Sequence, residues 1–142
     1  MLSLEQHFSY AEAALADAVA APLSARKARL VAALIDALID RCFDAGRTGA
    51  EDILAFRTKL LDSSPALASV VALAAARPDG PQLRLDVESL RPGVYAGLSE
   101  AQYMVSLYNG STIPRLFVLF PDGTRQNAPD LLAGALDALR KR

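Results

Sequence analysis

A chain of 142 residues, 52% hydrophobic and 22% charged, has the composition of one globular domain, long enough to bury roughly 70% of its unfolded surface without a metal or disulfide staple. Its 15 basic and 16 acidic side chains leave a net charge of -1, which argues against nucleic acid or anionic lipid as a general partner. Cys42 has no second cysteine to bridge to, no apolar run reaches the roughly 18 residues of a membrane span, and the opening Glu5, Gln6 and His7 do not read as a secretion signal, so a soluble cytoplasmic protein is expected.

Apolar residues recur at helical spacing from Leu4 through Phe8, Ala11, Leu15, Ala18 and Val19 to Ala21, and Pro22 ends this first helix. Ser24 offers an N-cap for a second, carrying Leu30, Val31, Leu34, Ile35, Leu38, Ile39, Cys42 and Phe43 before Gly46. Its apolar residues come in adjacent pairs, covering a wider arc than packing on one neighbour needs, so it is either the central helix or an oligomer interface. Thr48 to Glu51 reads as a capping box opening a third helix with Ile53, Leu54, Phe56, Leu60 and Leu61. Ser64 and Pro65 restart the chain as a fourth, with Leu67, Val70, Val71 and Leu73 on its apolar face.

The prolines and glycine between Arg77 and Pro81 break the pattern. Beyond them Leu83, Leu85 and Val87 alternate with Arg84 and Asp86, a strand with one wet face. Arg91, Pro92 and Gly93 turn toward a short strand at Val94 and Tyr95, and Ser99 with Gln102 opens a helix that Asn109 and Gly110 close. Leu116 to Phe120 has no polar alternation and reads as a strand buried on both faces. Pro121, Asp122 and Gly123 turn the chain into a short return over Thr124 to Gln126, and Pro129 starts the last helix with Leu132, Leu136 and Leu139 inward. The expected fold is α+β in a single domain over residues 1–142. A bundle of about four helices fills 1–77, and a small mixed sheet of two to four strands with two further helices fills 82–142.

Few side chains invite chemistry. His7 is the sole histidine and has no second ligand or catalytic partner in its pattern, so a surface or half-buried histidine is expected. Asp36, Asp40 and Asp44 fall at i, i+4 spacing on one side of the second helix, a ledge of the kind that holds Mg²⁺. The paired acidic row of helical nucleotide hydrolases is missing, and a solvated face balanced by Arg41 and Arg47 is the better reading. Cys42 continues an apolar face and reads as a small hydrophobe. The basic groups Arg26, Lys27 and Arg29, and Arg140 to Arg142, lack interleaved aromatics and do not suggest nucleic-acid binding. Neither a metal nor a cofactor is expected.

From Ile113 the order Ile-Pro, apolar strand, Pro-Asp-Gly turn, short strand and final helix resembles the closing segment of thioredoxin-like folds. The resemblance implies that Pro114 stands where that family has its cis proline. The chain has no Cys-X-X-Cys pair, so no redox activity is implied.

Two functional readings follow. The first is a non-catalytic module, homodimeric or partner-binding, using Leu34, Ile35, Leu38 and Ile39 as its interface; it accounts for the wide apolar arc and the poverty of catalytic side chains. The second is a small-molecule binder or enzyme whose site lies on the loop at Tyr108, Asn109, Ser111, Thr112 and Arg115. The 27 alanines, and 12 arginines against 3 lysines, suggest a GC-rich bacterial genome.

Overall fold

The computed structural model describes residues 2–46, 52–89, 99–108 and 112–142. The chain runs α1 (Leu4–Ala20), α2 (Ala25–Gly46), α3 (Ile53–Ser63), α4 (Pro65–Ala75), β1 (Gln82–Ser89), α5 (Glu100–Tyr108), β2 (Thr112–Leu119), β3 (Arg125–Asn127) and α6 (Ala128–Arg140). Six helices and a three-stranded antiparallel sheet of order β1-β2-β3 thus make up the described part, an α+β fold.

Local chemistry sets most helix ends. Ser3 and Gln6 form a capping box at α1, the Ser3 hydroxyl accepting the Gln6 N–H at 3.2 Å and Gln6 Oε1 accepting the Ser3 N–H at 2.7 Å. Ser24 Oγ takes the Lys27 N–H in front of α2, as its sequence predicts. The box expected at Thr48 to Glu51 lies outside the described residues. The cap of α3 is Asp52, whose Oδ1 accepts the Ala55 N–H at 2.8 Å. Ser64 closes α3 and caps α4, where Pro65 needs no N–H partner. Ser99 and Gln102 make the expected reciprocal pair at α5. Asn127, the last residue of β3, turns the chain directly into α6 by accepting the Asp130 N–H.

α2 is the centre of the bundle. It packs on α1, α3, α4 and α6, and Val31, Ala32, Ile35 and Ile39 have no exposed surface at all. Four neighbours need a wide apolar arc, which is the physical reason for the paired spacing along this helix. α6 joins the two halves, lying against α1 and α4 as well as β2 and β3. Its Arg140 reaches Glu5 and Glu12 of α1 and covers the Phe8 ring at 4.6 Å, so this cation serves a helix contact beyond its own helix dipole. Those two carboxylates hold the guanidinium above its ordinary range. Val19 and Leu30, expected on apolar stripes, are more than half exposed.

β2 begins at Thr112, four residues before the apolar run, because β1 pairs with its whole length from Gln82↔Leu119 to Ser89↔Thr112. Its alternation sends Leu116 and Val118 into the helical core with Leu83 beside them, and Ile113 and Phe117 to the opposite face. Burial on both faces is therefore as expected for this strand. Arg125 lies over the Phe117 ring at 4.0 Å and pairs with Asp86, while Arg115 pairs with Glu88, so the outer face is a charged ladder. The Ile113–Pro114 bond is trans, and Pro114 sits inside β2 opposite Val87. The cis proline implied by the thioredoxin-like resemblance is thus corrected, although strand, turn, strand and helix follow in the expected order. Gly123 supplies the positive φ (89°) of the β2–β3 turn. Asp122 accepts the Thr124 hydroxyl and N–H there, which pulls its carboxyl below the ordinary range. The strand expected at Val94 and Tyr95 lies outside the described residues.

Candidate functional site

The acidic ledge of α2 is occupied by an arginine from α3. Arg57 Nη1 reaches Asp36 Oδ1 at 2.9 Å, its Nε reaches Asp40 Oδ1 at 3.1 Å, and its Nη2 donates to the Asp36 carbonyl at 2.9 Å. Partial burial acts to lower the Arg57 pKa, but the bonds to Asp40 and Asp36 outweigh it and hold the guanidinium above its ordinary range. Two of the three carboxylates thereby share one guanidinium, a partner 17 to 21 residues away. No group of three metal-ligating side chains occurs among the described residues. Arg41, on the helix itself, makes no ion pair among them, and Arg47 lies outside them.

His7 is half-buried on α1. Cys42 is 2% exposed, and burial pushes its thiol above the ordinary 9.0, with Arg142 drawing it partly back. Such a thiol is a poor nucleophile at neutral pH.

The two predicted sites fare differently. Of the interface set, Ile35, Leu38 and Ile39 are 0%, 3% and 0% exposed, and Leu34 is half-buried against the same core. Ile35, Leu38 and Ile39 thus lie in the interior of a single chain, with Leu34 at its margin, where α1, α3, α4 and α6 pack around the arc. Of the loop set, Asn109, Ser111 and the Tyr108 side chain lie outside the described residues. Thr112 opens β2, half-buried opposite Ser89, and Arg115 is committed to Glu88.

Among the described residues, an exposed apolar row lies on β1, at the edge of the sheet. Leu85 and Val87 are 58% and 51% exposed. Both share a sheet face with Leu83 and Leu116, but the helices cover only the Leu83 end. β1 is also an edge strand, bonded among the described residues to β2 alone. Sequence alternation marked the strand and its apolar face correctly; what it could not mark is where the helical cover stops.

No protein family, no curated protein and no solved structure matches this chain. Among the described residues no helix is long and apolar enough to cross a membrane.

Proposed function

We propose that the protein is a non-catalytic module that acts as a homodimer, joined along the edge of β1. The carrying observation is that this strand is complementary to itself when two copies run antiparallel about Leu85. Leu85 then faces Leu85 of the partner subunit, Leu83 faces Val87 of the partner subunit, and Arg84 faces Asp86 of the partner subunit. Directly opposed residues of an antiparallel pair share a face, so the apolar three extend one face and the charges extend the ladder on the other. Arg84 makes no ion pair among the described residues, which leaves it available for this contact, while Asp86, already bonded to Arg125, would share its carboxylate between the two arginines. Moving the axis one residue, to Asp86, opposes two like carboxylates and is disfavoured.

Pairing two edges also removes the aggregation hazard of an open strand carrying exposed Leu85 and Val87. The balanced charge supports a partner other than nucleic acid, the single buried cysteine supports a cytoplasmic location, and the alanine and arginine bias supports a bacterial source.

Sedimentation equilibrium of the purified protein is expected to show a dimer that dissociates on dilution. Leu85→Lys, a change at an exposed position, is expected to be monomeric with an unchanged circular dichroism spectrum. A wild-type protein that stays monomeric at hundreds of micromolar overturns the proposal, as does a Leu85→Lys variant that dimerises as well as wild type.

A further inference from the structure

A cavity of about 610 Å³ lies where α3, α4 and the end of α6 meet, away from the β1 edge. Its volume falls within the roughly 300 to 1,000 Å³ of sites that hold small organic ligands. The inner wall is apolar: Leu60 and Leu67 are buried there, with Phe56 and Ala138 beside them. Two cations stand at the exposed rim, Lys59 from α3 and Arg142 just beyond α6. Neither forms an ion pair among the described residues; Arg142 donates only to the Leu139 carbonyl, at 3.1 Å. The N-terminal end of α4, at Ser64 to Leu67, turns its positive pole to the same opening.

We infer that this cavity binds a small amphipathic carboxylate, the apolar body against Leu60 and Leu67 and the anion between Lys59 and Arg142. The division of the lining decides the class. A polar anion such as inorganic phosphate or a nucleotide would find partners only in Lys59, Arg142 and the Ser63 and Ser64 hydroxyls, and would leave the apolar wall of Leu60 and Leu67 unused. An uncharged hydrocarbon would use the apolar wall but gain nothing from Lys59 and Arg142, which would stay solvated at the rim. A straight-chain carboxylate meets both halves, since charge-assisted bonds at the rim add to apolar burial behind it.

The probe is decanoate below its critical micelle concentration, titrated calorimetrically into the full chain, with decyltrimethylammonium as the same tail carrying the opposite charge. Decanoate is expected to bind one molecule per chain and to shift the amide resonances of Phe56, Leu60 and Leu67. The cationic probe is expected to bind at least about tenfold more weakly, and Lys59→Gln and Arg142→Gln each to weaken decanoate about tenfold, the loss of one charge-assisted contact. Both replaced side chains are exposed, so both variants are expected to keep the wild-type circular dichroism spectrum. Equal affinity for the two probes, decanoate binding unchanged in both variants, or resonance shifts confined to other surfaces would overturn the inference. Self-association that shifts Lys59 and Arg142 while decanoate gives no response would make the groove a protein contact, and would also overturn it.

Discussion

Arg57→Ala tests whether the long-range clamp on the acidic ledge holds α3 in place. The substitution removes two ion pairs and one bond to a backbone carbonyl. The Asp40 side chain is 54% exposed, so solvent screening leaves that pair a few tenths of a kcal/mol. The Asp36 pair, with side chains 21% and 39% exposed, contributes nearer about 0.7 kcal/mol, and the carbonyl bond about 1 kcal/mol. Asp36 and Asp40, left facing one another at i, i+4, repel by a few tenths more. The total loss is about 2 kcal/mol, which for a domain of this size lowers Tm by about 6 °C. Thermal unfolding of wild type, Arg57→Ala, Asp36→Ala and the double variant completes a cycle, with an expected coupling of about 0.7 kcal/mol, that of the side-chain pair alone. Amide exchange should quicken through α3 ahead of α2, because α3 otherwise rests on Leu60 and the Phe43–Phe56 ring contact at 5.5 Å. An Arg57→Ala variant within about 0.5 kcal/mol of wild type, or strictly additive single changes, would show the clamp to be idle and those apolar contacts sufficient.

The remaining predictions concern the core. Ile35→Ala, at the fully buried midpoint of α2, is expected to cost about 3 to 4 kcal/mol by urea unfolding, whereas Leu30→Ala, 54% exposed on the same helix, should stay within about 0.5 kcal/mol; similar losses at the two positions would contradict the central placement of α2. Cys42 has a raised folded-state pKa, so its contribution to stability is whole below the ordinary value of 9.0 and is lost as pH climbs above it, because the unfolded chain gives up its thiol proton first. Urea midpoints measured from pH 8 to 10.5 should therefore fall more steeply for wild type than for Cys42→Ala, and parallel profiles would refute a buried thiol.

Much of the helical half was legible before any coordinates. Pro22, Ser24 and the Ser64-Pro65 pair are punctuation whose meaning is local: a missing N–H, or a hydroxyl one turn from an unpaired donor. The Ser99 and Gln102 box and the turn at Pro121 to Gly123 are of the same kind, as is the two-faced burial of Leu116 to Val118. Asp52, which caps α3, carries capping chemistry equivalent to that of Thr48 to Glu51 just before it, so local chemistry alone does not say where the helix starts.

Other features depend on partners far apart in the chain. The carboxylates of Asp36 and Asp40 present the same spacing whether they hold a cation or an arginine, and the answer came from Arg57, on another helix. The wide apolar arc of α2 fits a central helix and a dimer surface equally well by its periodicity; four packed neighbours decide for the centre. For β1 the reverse holds, since Leu83, Leu85 and Val87 form one apolar row, yet the helices cover only its Leu83 end. The cavity likewise exists only because α3, α4 and α6 converge, bringing Lys59 and Arg142 to one opening from positions 83 residues apart. Periodicity and capping act within a turn or two of helix or a few residues of strand, so the sequence by itself determined that the described helices and strands form and, Val19 and Leu30 apart, which face of each is apolar. What covers each face is a sum over distant contacts, and only the tertiary structure decided it.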